Sequence, residues 1–157
     1  MDRTWNKDWR KSIIVLSGGF DPVHKGHLRM FREASWLGHQ VIVGLNSDEW
    51  LSRKKGKQFM EFEERKEILE GFKYVNQVIP FNDSDNTASE AIIYVHNMFE
   101  HRDEDYNIYF ANGGDRGRGN VPEVGVCKEL DVVMLWGIGG GKIQSSSWLT
   151  NGGKDES

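Results

Sequence analysis

Two hydrophobic patterns alternate between Ser12 and Leu149. In the first, apolar and often β-branched residues follow one another without a polar break, as in "SIIVLS", "QVIVGLN", "VNQVIPF", "YNIYFAN" and "DVVMLWG". Such short runs, bounded by glycine, proline or polar residues, predict five buried strands. In the second, apolar residues recur at helical spacing. "GHLRMFREASWLG" places Leu28, Phe31, Ala34, Ser35 and Leu37 on one face, with Gly38 as a stop. "MEFEERKEILEGF" carries its acids early and turns Ile68, Leu69 and Phe72 inward. Thr87 and Glu90 have capping-box spacing ahead of Ala91, Val95 and Phe99. "PEVGVCKEL" predicts a short helix, and "SSSWL" the start of a last one.

Strands that are apolar throughout belong to parallel sheets covered on both faces, and the strand–helix alternation agrees. The expected fold is a single doubly wound (Rossmann-like) α/β domain over residues 12–150 with a five-stranded parallel sheet. Its crossovers are right-handed, and ligands gather at the carboxyl ends of the strands. Residues 1–11 are expected to form an arm that docks through Trp5 and Trp9, or else a frayed end. Residues 151–157 form a polar tail expected to be disordered.

Composition narrows the function classes. The 157 residues, 38% of them hydrophobic, suffice for one packed core. No apolar run approaches the roughly 20 residues that span a bilayer, and "MDRTWNKDWRK" has no apolar signal core, so no membrane association is expected. A lone Cys127 excludes an internal disulfide and suits a cytoplasmic setting. The net charge of −4 disfavours a nucleic-acid binder and points to a small-molecule partner.

The chemistry concentrates in "LSGGFDPVHKGHLRMF". If strand one ends near Ser17, Gly18 to Val23 form the loop at the ligand-binding edge, and His24 and His27 lie in the first helical turn. Their i, i+3 spacing lets both rings share one face. They sit beside the amides and partial positive charge of a helix N-terminus, which suits phosphate. Gly18, Gly19 and Gly26 permit close approach of a ligand to the backbone. A zinc site needs further ligands, and no CxxC or HExxH accompanies the pair. His39, His96 and His101 lack such a setting and are read as structural.

"GGFDPVHKGH" resembles the GxFDxxHxGH signature of the HxGH nucleotidyltransferases, a group that includes glycerol-3-phosphate cytidylyltransferases and the nucleotidyltransferase domain of ADP-heptose synthases. The resemblance continues in order through "LNSDEWLSRKKGK", "EERKEIL", "VNQVIPF", "ANGGDR" and, more weakly, "GKIQSSSWL". It implies transfer of a nucleoside monophosphate from an NTP to a phosphorylated acceptor, with pyrophosphate released and Mg²⁺ carried on the NTP rather than on protein side chains. His24 and His27 would stabilise the transferring phosphoryl group, with backbone amides around Gly19 and Phe20. Asp21, Gly26, Gly114 and Asp115 would belong to the nucleotide site. Lys55 is favoured as a phosphate contact, with Lys54 and Lys57 beside it in a loop after strand two; a solvated patch is the plain alternative. Arg65 matches an arginine of the family and is assigned to phosphate or acceptor; Thr87 contacts the acceptor or caps its helix. Arg116, beyond the shared element, could hold an acceptor anion.

"WGIGGGKIQSSSW" is not a P-loop, because Lys142 is followed by Ile143 rather than Ser or Thr. By resemblance it holds the triphosphate through Lys142, Ser145, Ser146 and Ser147. The arginines that relatives carry near this point are missing, which leaves the nucleobase open. The first choice is a cytidylyltransferase using CTP and a small acceptor such as glycerol 3-phosphate. The alternatives are an ATP-dependent adenylyltransferase and a non-catalytic nucleotide-binding partner subunit. A homodimer is the expectation that the resemblance carries.

Overall fold

The computed structural model describes residues 11–100, 106–113, 121–140 and 143–146. The expected arm and tail, and Gly114, Asp115, Arg116, Lys142 and Ser147, lie outside these residues.

Eleven elements follow in order among the described residues: β1 Ser12–Gly18, α1 Lys25–Leu37, β2 Gln40–Leu45, α2 Asp48–Lys55, α3 Phe62–Glu70, β3 Gln77–Pro80, α4 Ser89–Glu100, β4 Asn107–Gly113, α5 Val124–Glu129, β5 Val133–Ile138 and β6 Gln144–Ser145. One sheet takes them in the order β3-β2-β1-β4-β5-β6. The five strands read from the sequence pair in parallel, with Val15 beside Ile42 on one side and Phe110 on the other. The expectation of five strands needs one correction. Gln144 and Ser145 form a sixth strand, antiparallel to β5, where the start of a helix was expected. "IQS" is too short for its pattern to separate a strand from a helical turn.

The continuous apolar runs are explained by burial on both faces. In β1, Ile14 and Leu16 pack with Phe31, Ala34 and Leu37 of α1 and Leu69 of α3. Ile13 and Val15 face the other way, onto Ile92, Val95 and Phe99 of α4 and Cys127 of α5. Full burial of a side chain such as Phe31 or Leu37 stabilises by about 1.5–3 kcal/mol. Two inward expectations fail. Leu28 is 37% exposed, and Ile68 is 36% exposed because Arg65 and Leu69, one turn apart, take the buried stripe of α3.

Sequence reading missed α2. Ser47 caps it by accepting from the Trp50 amide, Asp48 and Glu49 open it, Arg53 to Lys55 close it, and Gly56 ends it at φ 88°. The basic cluster is therefore partly helical rather than a loop. The chain order reverses between β1 and β4, so the carboxyl ends of these strands border a crevice. Gly18 and Gly113 stand at those ends.

Candidate active site

The turn after β1 is built around Phe20, which adopts φ 50°, an uncommon conformation for a residue with a side chain. Its ring is buried, meeting Phe31 at 5.4 Å and the His27 ring edge-on at 4.8 Å between centroids. A Cβ on Gly18 would approach that ring to 3.0 Å, and one on Gly19 would meet Leu51 at 2.7 Å. Both glycines therefore make room for the fold of the turn itself.

His24 is the N-cap of α1, and the two imidazoles cap the helix together. The Gly26 amide donates to His24 Nδ1 at 3.1 Å, and the His24 amide donates to His27 Nδ1 at 3.1 Å. The rings stack with centroids 3.8 Å apart. Because each Nδ1 accepts, a neutral ring must carry its proton on Nε2. Burial, reinforced by the neighbouring His24, pushes the His27 pKa down to about 4. His27 is therefore a neutral Nε2–H donor at physiological pH. The Gly26 amide, expected to be open to a ligand at the helix N-terminus, is instead occupied by the His24 imidazole.

Two further assignments change with the geometry. The Asp21 side chain is only 1% exposed and binds inward, paired with Lys55 Nζ at 2.8 Å. It also accepts from the amides of Phe59 at 2.6 Å and Met60 at 2.7 Å. Burial works to raise its pKa, but Lys55 and the two amides outweigh that and hold it below the usual value. Asp21 thus anchors the α2–α3 loop rather than facing a nucleotide, and Lys55, which also donates to the Asp21 carbonyl, is held at the turn by it. Arg65, expected at a phosphate, is 1% exposed. It donates to the carbonyls of Met60, Gly19 and Asn46 and to the Asp48 carboxylate. A guanidinium sealed under three carbonyls is a positioning group, because its donors are spent on the backbone.

Beyond Gly18, on the α4 and α5 side of the sheet, a cavity of about 460 Å³ opens. Ser17, Asn46, Trp50, Lys54, Thr87 and Glu123 border it. Lys54 Nζ lies 4.7 Å from the centre of the Trp50 ring. Lys54 is thus the lysine that lines this space, while Lys57 is exposed beyond Gly56. Thr87 is at the cavity wall, but not in the expected capping box: its amide and hydroxyl donate to Asp85, and its oxygen accepts from the Ser89 amide. Ser145 lies in β6, and Ser146 is 7% exposed, exchanging bonds with the Met134 backbone. The expected hydroxyl of Ser146 is used to hold β6 on β5. Burial, with Glu123 close by, pushes the Cys127 thiol up to about 12, so it is no nucleophile at neutral pH.

The profile of cytidylyltransferase-like proteins matches residues 15–135. The chain belongs to the cytidylyltransferase-like family. It is 37% identical over 67 residues to glycerol-3-phosphate cytidylyltransferase of Bacillus subtilis (strain 168), covering 43% of this chain and 52% of that one. The bifunctional protein HldE of Coxiella burnetii is 31% identical over 107 residues, 67% of this chain and 22% of the relative. A probable ethanolamine-phosphate cytidylyltransferase of Encephalitozoon cuniculi is 30% identical over 143 residues, 89% of this chain and 42% of the relative. The matched segment thus spans about half the length of the glycerol-3-phosphate cytidylyltransferase. The fold matches a lipopolysaccharide core biosynthesis protein of Thermoplasma volcanium GSS1, with a TM-score of 0.62 at 18% identity over 80% of this chain and 94% of that one.

Sequence reading overlooked Asn46, Trp50 and Glu123. The signal for Trp50 was the unrecognised helix, on which Trp50 and Lys54 are one turn apart. Glu123 had none, since it reaches the cavity only through packing of α5 against α4.

Proposed function

We propose that this chain transfers a nucleoside monophosphate from CTP to a phosphorylated, hydroxyl-bearing acceptor, releasing pyrophosphate. The observation that carries this reading is the stacked His24–His27 pair, with both rings fixed as Nε2 donors at the crevice. Membership of the cytidylyltransferase-like family supports it.

An oxygen of the acceptor's phosphate attacks the α-phosphorus of the nucleotide in line. The bond from that phosphorus to the bridging oxygen breaks, and pyrophosphate leaves with the electron pair. No protein nucleophile is required. The protein's work is alignment and stabilisation of charge on the phosphoryl oxygens. The Nε2–H groups of His24 and of the neutral His27 donate to those oxygens, and Lys54, at the cavity, faces the acceptor's anion. Mg²⁺ enters as part of the triphosphate substrate, where it neutralises negative charge. A homodimer in the cytoplasm is part of the same proposal.

The test is titration with the four NTPs in the presence of Mg²⁺, followed by pyrophosphate release with acceptor, for wild type and His27→Ala. CTP is expected to raise the melting temperature most, and His27→Ala to keep CTP binding while losing about 10²–10³ in turnover. Unchanged turnover in His27→Ala overturns the mechanism. A preference for ATP replaces the cytidylyl donor, and silence with every NTP favours the partner-subunit reading.

A further inference from the structure

Helix α2 brings Trp50 and Lys54 to the cavity, yet packing does little to hold it there. It is eight residues long, and Leu51 is its buried residue. A helix that short has little stability of its own in water, and the apolar stripe that usually anchors one is absent. Its place in the fold rests on polar bonds.

The segment between β3 and α4 supplies those bonds at both ends of the helix. At the amino end, Asp83 Oδ2 accepts from Asn46 Nδ2 at 3.0 Å and from the Ser47 amide at 2.8 Å, and Oδ1 accepts from the Ser47 hydroxyl at 2.8 Å. That hydroxyl also accepts from the Trp50 amide at 3.1 Å, so helix cap and carboxylate form one chain of bonds. In the last turn, Arg53 donates to the Asp83 carbonyl at 2.9 Å and to Asn86 Oδ1 at 3.2 and 3.1 Å. Asn86, at φ 66°, a conformation asparagine tolerates, closes the turn by donating its amide to the same carbonyl at 2.9 Å.

The opposite flank of α2 is tied by Asp48 to Arg65 and by Lys55 to Asp21, so the helix hangs between two mounts. Asp83 is the mount on the cavity side. It is 5% exposed and is not among the residues that border the cavity, so its bonds go to the helix and not to a ligand.

Building on the nucleotidyl-transfer reading, we infer that Asp83 is a positioning residue. Through Ser47 and Arg53 it sets where α2 presents Lys54 to the acceptor's anion, while touching neither substrate.

The experiment measures pyrophosphate release by the full chain, with nucleotide and acceptor varied separately. The acceptors are glycerol 3-phosphate, phosphoethanolamine and ribose 5-phosphate. The variants are Asp83→Ala, Asp83→Asn, Lys54→Ala and the double variant with alanine at both positions. Asp83→Ala is expected to raise the acceptor's KM by about tenfold, with kcat and the nucleotide's KM within about twofold of wild type. Asp83→Asn is expected to keep most of the affinity, since its oxygen can accept from Asn46 and Ser47 while its amide donates to the Ser47 hydroxyl. The double variant is expected to be no worse than Lys54→Ala, because both losses fall on one contact. Losses that multiply in the double variant overturn the action through Lys54. Equal losses in kcat and in both KM values overturn positioning in favour of a general structural role. If Asp83→Ala does not fold, Ser47→Ala, which removes the hydroxyl between carboxylate and helix, carries the same comparison with Lys54→Ala. Absence of pyrophosphate from folded wild type with every NTP and acceptor overturns the underlying reading, and this one with it.

Discussion

The backbone amide of His24 donates to the ring of His27, while the ring of His24 accepts from Gly26. Each imidazole is thus oriented by the turn that carries the other. The charge state follows from the same geometry. His27 has its pKa pushed down to about 4 by burial and by His24, so it binds fewer protons folded than unfolded between pH 6.5 and about 4. Folding stability therefore rises with pH across that window, and the contribution is lost as pH falls through it. Ring-proton NMR is expected to show His27 titrating below pH 5. A midpoint near 6.5 would contradict the buried, neutral donor.

Gly26 separates stability from function. A Cβ there would meet His24 Cε1 at 2.9 Å and Nδ1 at 3.1 Å. Alanine is favoured over glycine inside a helix by up to about 1 kcal/mol. Gly26→Ala should therefore melt within a few degrees of wild type while turnover falls by about 10²-fold, because the His24 ring is displaced. Melting curves and pyrophosphate release on one preparation check both halves.

Arg65 carries the opposite signature. Its loss leaves the carbonyls of Gly19, Asn46 and Met60 without their buried donor, which should cost about 3 kcal/mol in urea unfolding. Arg65→Lys is expected to recover little, since an ammonium cannot reproduce the planar fork.

For Asp21, the carboxylate is held below its usual pKa, so its stabilisation is present above the unfolded value near 3.8 and fades as pH drops through the lowered folded one. Asp21→Asn should lower the melting temperature at pH 7 by about 4 °C and flatten the acid limb. Faster hydrogen exchange at the Phe59 and Met60 amides would locate the damage.

Much of the fold was legible because the sheet is buried on both faces: runs such as Ser12–Ser17 can hardly be anything else. The histidine turn was legible because its spacing carries the chemistry directly. Helix α2 was not, although Ser47, Asp48, Glu49 and Gly56 are all boundary signals. Its interior is so polar that only Leu51 is buried, and the hydrophobic period on which the reading relied is absent. Arg65 misled for a related reason. A cation in a phosphate-binding family suggests a ligand contact, and nothing local reveals that three carbonyls close over it. The intramolecular bonds of Asp21 and Ser146 were illegible likewise, since their partners are 39 and 12 residues away in the chain.

One nitrogen of Arg65 joins the two halves of the crevice. Nη1 donates to Gly19 O at 2.9 Å, on the histidine side, and to Asn46 O at 2.8 Å, at the edge of the Trp50 cavity. In the proposed reaction, the gap between donor and acceptor substrates would thereby be set by a side chain that touches neither. A shift of a single ångström in that gap is worth about a hundredfold in rate. Under that proposal the guanidinium is the gauge block of the reaction, and its loss would register as misalignment long before either substrate ceased to bind.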